Sequence, residues 1–241
     1  MKRAQALYHQ SQRLVTLGET DVPAPRHGQF LIKTRYSAIS PGPETRLFRG
    51  DLSAKDAAGH RLQYPLKSGS ALVGEVIAVG NPRDREWLGT QVFAYHPHQS
   101  YLVLDQSECV RIPENTPLER ALFLTSMEAA LNIVFDVNPR AGERVMVFGL
   151  GIPGLLTTAV LGQHPLAELI TADPLPLRRD KSLELGAGLA IDPKDTRALA
   201  ALRDCLFDAE ADGLDVAVEI SGRIEALNQA IRLTGTSGRI V

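Results

Sequence analysis

Residues 144–160 read RVMVFGLGIPGLLTTAV, an apolar run, then three glycines, then small and apolar residues at helical spacing. A chain written this way has one economical solution, a buried strand that ends in a tight turn and restarts as a helix. Gly149, Gly151 and Gly154 form GxGxxG. The first glycine permits the turn, the second lets the backbone approach a pyrophosphate, and the third lets the helix pack close to the strand. Leu150, Ile152 and Pro153 complete the loop, whose helix end offers unpaired N–H groups and the positive end of a dipole to phosphates. Nineteen residues past Gly154, ELITAD ends in Asp173. That is where a dinucleotide fold carries the carboxylate that holds the ribose hydroxyls of NAD and repels the extra phosphate of NADP. Arg178 and Arg179 follow and could accept that phosphate, so NAD is favoured and NADP stays open. The plainer reading is a tight strand-to-helix turn, with Asp173 capping a helix that starts near Pro174.

The surroundings suit the first reading. RVMVFG, ELITAD, GLAID, LDVAVEIS and GRIV alternate with PGLLTTAVLG, LRRDKSLELG, DTRALAALRDCLF and IEALNQAIRL. Five strands alternating with four helices predict a doubly wound parallel sheet covered by helices on both faces. Upstream the pattern differs. QFLIKTRY, ALVGEVIAVG, TQVFAY, SYLVLD and ECVRIP are short bursts separated by Pro, Gly and Asp, which predicts a β-rich barrel or sandwich with little helix. Between the halves, residues 117–137 have helical spacing and predict a bridging helix. The expected domains are 1–118 and 119–241.

Charge and cysteine content exclude several functions. Lys and Arg total 26 against 28 Asp and Glu, with no basic stripe, so nucleic acid is not an expected partner. No run approaches a membrane span, and the N-terminus has two positive charges without an apolar stretch behind them, so a cytoplasmic location is expected. Cys109 and Cys205, the two cysteines, are far apart and encode neither a disulfide framework nor a cysteine-rich zinc site. Both are read as buried thiols.

A β-rich half, a bridging helix and a dinucleotide-binding half together resemble the medium-chain dehydrogenase/reductase superfamily of the zinc alcohol dehydrogenase type. ALVGEVIAVG is similar to the strand that follows that family's GHE motif, and DVAVEISG to the strand leading to a small-residue turn beside the nicotinamide, here Ser221 and Gly222. Within the superfamily, YSAISPGPETRLFRG, YPLKSGSALVGEV, VFAYHPHQSYLV and SMEAALNIVFD resemble a branch similar to the bacteriochlorophyllide-oxidising dehydrogenases, which lack the usual zinc ligands. The resemblance implies a GroES-like catalytic domain, a Rossmann domain, hydride transfer between NAD and an alcohol or carbonyl, and a homodimer. It also implies a sixth sheet strand and a returning segment beyond Val241, and an edge at the fifth strand open to a different pairing.

Departures from the family pattern bear on the chemistry. Where the zinc enzymes carry a ligand Cys, this chain has Ser40, and the GHE site reads Gly69, Ser70, Ala71. A hydroxyl is a poor zinc ligand, so no zinc is expected at these positions. Hydride transfer then needs another acid or base. The resemblance places Ser40, Glu44, His96 and Glu128 near the cleft between the domains. Ser40 is either an orienting hydroxyl or a turn and N-cap residue, and Glu44 either an acid near the former metal site or a helix-dipole partner. His96 and His98 form HxH in an apparent strand, with both rings expected on one face; a metal would need a third ligand, and surface histidines are the alternative. Glu128 is either a carboxylate with its pKa raised in apolar company or a solvated helix position. His9, His27, His60 and His164 are placed in loops or element ends and assigned nothing. Two other functions remain open, a truncated or non-catalytic dinucleotide-binding protein and a quinone or enone reductase.

Overall fold

A computed structural model describes residues 1–52, 62–207 and 212–241. His60 lies outside the described residues. The chain falls into two compact units, Met1–Leu124 and Thr125–Val241.

The first unit opens with a hairpin, β1 (Lys2–Ser11) and β2 (Leu14–Val22), which the sequence reading did not anticipate. Its polar, charge-rich residues hide the alternation, and the edge of β1 away from β2 is covered by the two-residue β4 (Leu66–Lys67) and by a bridge from Ala6 to Gln99. A five-stranded antiparallel sheet follows, built from β3 (Gln29–Ala38), β5 (Ala71–Val79), β6 (Gln91–Ala94), β7 (Tyr101–Asp105) and β8 (Val110–Arg111) in the order β7-β3-β5-β6-β8. Strand β5 is buried on both faces: Leu72 and Val76 pack with Phe30, Ile32 and Leu102, while Ala71 and Val73 pack with Phe93 and Ile112. The expectation of little helix is corrected at α1 (Pro41–Arg49). Pro41 opens it with its φ already suited to a helix, and Gly50, at φ +89°, ends it in a left-handed turn.

The predicted bridging helix is two pieces, α2 (Leu118–Ala121) and α3 (Leu124–Val137). The second unit contains β9 (Arg144–Phe148), α4 (Ile152–Leu161), β10 (Glu168–Ala172), α5 (Pro176–Glu184), β11 (Leu189–Ile191), α6 (Thr196–Leu206), β12 (Leu214–Glu219), α7 (Ile224–Leu233) and β13 (Thr234–Ile240). All five strands pair in parallel in the order β11-β10-β9-β12-β13. Residues Val145–Phe148 are all buried, because side chains alternate across a sheet covered on both faces. Met146 and Phe148 face Leu202, Leu206, Ala230 and Leu233, whereas Val145 and Val147 face Val134, Val137 and Leu161. The strand order reverses between β9 and β12, and in such sheets ligands bind beyond the carboxyl ends of the strands at that point.

Candidate cofactor and acid–base sites

The glycine turn sits at the reversal. Gly149 leaves β9 at φ +93°, and a Cβ there would stand 2.7 Å from the backbone nitrogen of Ser221, so the ends of β9 and β12 touch through the missing side chain. At Gly154 a Cβ would meet the Gly149 carbonyl oxygen at 2.0 Å, which is why the helix can lie so close to the strand. Gly151 differs. The nearest atom to its Cβ is Pro153 Cδ at 4.0 Å, so packing does not require glycine there and the space above the backbone is left clear. Gly151 is the N-cap of α4, with no side-chain cap bond, and Pro153 lies in the helix's first turn. A cavity of about 520 Å³ is lined by Gly149, Asp173, Pro174, Lys194, Ser221 and Arg223.

Asp173 is only 3% exposed and is held by its neighbours. Its Oδ2 accepts from the Leu150 N–H at 2.9 Å and its Oδ1 from the Leu175 N–H at 2.9 Å, with Arg178 Nη1 at 3.3 Å from Oδ2. The carboxylate therefore ties the glycine turn to the end of β10, and the helix near it starts at Pro176 with Leu175 as N-cap rather than Asp173. Leu150 has its side chain fully buried, and its N–H is taken by Asp173. Ile152 and Ser221 are exposed, and the Ser221 hydroxyl donates to Glu219. Arg179 turns away from the cavity side of the carboxylate, donating to the Asp173 carbonyl at 2.7 Å and lying 3.6 Å from Asp192. These residues fit a dinucleotide: an open cradle at a helix start, with a fixed carboxylate beside it.

In the first unit the structure brings Ser40 and Glu44 together. Ser40 is the N-cap of α1 without a side-chain capping bond; its N–H donates instead to Glu44 Oε1 at 2.7 Å. Glu44 in the first turn thus serves the helix start and faces inward as well. Its Oε2 lies 3.0 Å from His98 Nε2, and His98 Nδ1 is 2.8 Å from Ser37 Oγ. Burial pushes the Glu44 carboxyl upward, but the bonds from His98 and the Ser40 N–H outweigh it and hold the pKa below the usual carboxylate value. The buried Ser68 hydroxyl, with no partner at ordinary hydrogen-bond geometry, also favours the charged form.

The HxH expectation is corrected. Residues 95–97 follow β6 as irregular chain around Pro97, and the two rings part. His96 Nδ1 faces the Pro97 carbonyl at 2.8 Å and lines a cavity of about 390 Å³ with Thr20, Asp21, Lys67 and Gln99. Burial, with Lys67 adding to it, lowers the His96 pKa despite the Pro97 carbonyl. Glu128 lies on α3 in the second unit and is exposed, which favours the solvated-helix alternative. The reading of both cysteines as buried is corrected too, since Cys205 is exposed while Cys109 is buried.

Sequence reasoning named His98 only as half of a possible metal pair, and gave no role to Ser37 or His9. His9, expected in a loop or at an element end, lies in β1, 3% exposed, with electrostatic coupling to Glu44 and His98. The only signal was the HPHQ stretch itself, because the partners of His98 are 54 and 61 residues away. At the positions that the resemblance gives to zinc ligands the chain offers the hydroxyls of Ser40 and Ser70 and the methyl of Ala71. Among the described residues no three His, Cys, Asp or Glu side chains are grouped to hold a metal. This donor set does not fit zinc.

No family model matches the chain. It is 24% identical over 261 residues to (R,R)-butanediol dehydrogenase of Bacillus subtilis, covering 96% of this chain and 74% of that protein. It is 26% identical over 254 residues to L-threonine 3-dehydrogenase of Pyrococcus furiosus, covering 93% and 70%. An Escherichia coli alcohol dehydrogenase solved with NADH superposes with a TM-score of 0.81 at 20% identity, over 99% of this chain and 75% of that one. A GroES-like β-rich unit, a Rossmann sheet in reversal order, a cradle for a dinucleotide and dehydrogenase relatives that match nearly the whole length converge on one conclusion. The chain resembles dehydrogenases of the medium-chain dehydrogenase/reductase superfamily in sequence and in fold over nearly its whole length.

Proposed function

We propose that the chain is a zinc-independent, NAD(P)-dependent oxidoreductase that interconverts a small alcohol and its carbonyl, with NAD the favoured cofactor. One observation carries this reading: Gly151 is the glycine of the turn that packing does not require, and it faces open space beside a fixed carboxylate. Gly149 and Gly154 are explained by the fold itself, whereas the bare backbone at Gly151 is what an incoming pyrophosphate needs. The backbone of Gly151, Ile152 and Pro153 would hold the phosphates, Asp173 a ribose, and Ser221 and Gly222 would flank the nicotinamide. Arg178, exposed beside Asp173, is the residue that would accept a 2′-phosphate. Bound there, the nicotinamide accepts or supplies hydride, and the protein must move the hydroxyl proton. Lost donors at Ser40, Ser70 and Ala71 support zinc independence, and Ser40 and Glu44 remain the positioning groups of that loop. The named substrates of the relatives support action on a small molecule, and a cytoplasmic homodimer belongs to the same proposal. No helix among the described residues is long and apolar enough to cross a membrane.

Titration with NADH and separately with NADPH, followed by nicotinamide fluorescence, tests the reading, with Gly151→Ala as the control. Saturable NADH binding that the variant weakens supports it. Binding of neither cofactor by a folded chain rejects it in favour of a non-catalytic protein. Turnover unaffected by Ser40→Ala and Glu44→Ala would point to enone or quinone reduction, which needs neither group.

A further inference from the structure

A buried carboxylate is costly unless it is paired and hydrogen-bonded, and Glu44 is both. Because a carboxylate only accepts, its 3.0 Å contact places a proton on His98 Nε2. In a neutral ring the other nitrogen then holds the lone pair, so Ser37 Oγ, 2.8 Å from Nδ1, must be the donor. The tautomer set by Glu44 leaves a base aimed at a hydroxyl.

The surroundings favour this state. The titratable groups that face His98 are Glu44 from α1 and His9 from β1. Burial lowers the pKa of His9, so the neighbour of His98 on that side is a neutral ring. Gly69 makes room for the ring: a Cβ there would stand 2.8 Å from His98 Nε2 and 2.7 Å from its backbone nitrogen. The outer end of the array is Ser37, half-buried near the end of β3. Ser37 lies opposite Leu72, on the strand that begins at Ala71, one of the positions where a metal ligand is replaced.

We propose that Ser37, His98 and Glu44 form the acid–base array of the alcohol chemistry, with Ser37 as the catalytic residue that meets the substrate hydroxyl. This rests on the reading given under Proposed function. In the oxidising direction the carbinol C–H bond breaks and its electron pair leaves with hydrogen to the oxidised nicotinamide. The substrate O–H proton passes to Ser37 Oγ as the Ser37 proton passes to His98 Nδ1, and the C=O bond forms. Glu44, through the proton on Nε2, positions the ring and balances the imidazolium, which later releases its proton to water. Reduction is the reverse.

Ring-nitrogen NMR on the full chain without cofactor reads the array directly. The expected result is the Nε2–H tautomer for His98. The kinetic probe is oxidation of (R,R)-butanediol and related secondary alcohols by NAD+. Ser37→Ala and His98→Gln should each lower kcat about 100-fold or more with the KM for NAD+ unchanged, Glu44→Gln should move the acid limb of the kcat profile, and Ser37→Thr should restore part of the rate. An Nδ1–H tautomer, an unmoved acid limb in Glu44→Gln, or full kcat in Ser37→Ala overturns the array alone. Ser37→Ala removes a half-buried hydroxyl, so it keeps the test decisive should His98→Gln fail to fold. A wild-type chain that binds NADH yet oxidises none of these alcohols overturns the function reading, and the array's chemistry with it.

Discussion

The Leu150 N–H donates to Asp173 Oδ2 at 2.9 Å, so the glycine turn and the carboxylate that would hold a ribose are one hydrogen-bonded unit. Replacing Asp173 therefore does two things. Asp173→Ala takes the acceptor from the Leu150 and Leu175 N–H groups, and the buried one, at Leu150, costs about 1–3 kcal/mol. We expect a lower Tm together with weaker NADH binding, so the variant's affinity must be read at a temperature where differential scanning fluorimetry shows it folded.

Gly151 and Gly154 separate a binding role from a packing one. Gly151→Ala adds a methyl to open space, and should leave Tm within a few degrees of wild type while weakening NADH at least tenfold. In Gly154→Ala the methyl would lie 2.0 Å from the Gly149 carbonyl, so the turn itself must move and both Tm and binding should fall. Equal NADH affinity in Gly151→Ala and wild type would remove the pyrophosphate contact.

Arg239 braces the end of α3. Its guanidinium meets Glu143 Oε1 and Oε2 at 2.8 Å each and also donates to the carbonyls of Val137 and Asn138. This paired fork holds the Glu143 carboxyl below its usual value and the Arg239 pKa above its own. Arg239→Ala should cost about 1–3 kcal/mol in urea unfolding of the full chain. Arg239→Lys should recover little, since an ammonium cannot serve two carboxylate oxygens and two carbonyls in one plane.

Acid should destabilise the fold in two steps. The folded pKa of His9 is depressed by burial, so its contribution is present above 6.5 and is lost as pH falls below that value. Glu44 and Glu143 are depressed by their partners, so theirs is present above 4.5 and is lost as pH falls through their folded pKa values. Urea midpoints between pH 8 and 3 should decline across both windows, and Glu44→Gln should flatten the lower one. A midpoint constant from pH 8 to 5 would remove the His9 contribution.

The thiols should differ in reactivity. Cys109 is buried and its pKa is pushed up to about 11, first by burial and then by Glu108 and Asp105, whereas Cys205 is exposed. A thiol-reactive dye at pH 8 should label one cysteine in the native chain and the second only on unfolding, because the thiolate is the reactive form.

Gly149, Gly154 and Asp173 were legible because their partners are close in sequence or set by strand-turn-helix periodicity, and the same periodicity announced all five parallel strands. The β1–β2 hairpin was not, since its polar residues carry no clean alternation, and α1 was legible only as the N-cap and helix-dipole alternatives at Ser40 and Glu44. Ser40 and Glu44 could be singled out by resemblance, but His98 could not be ranked above His96. Local sequence thus determined the second unit and its cofactor turn, where backbone geometry within a few residues decides the outcome. Which imidazole is buried against Glu44, and which hydroxyl it faces, only the tertiary structure decided. Those contacts join β1, β3, α1 and the segment after β6 across separations that no local pattern encodes.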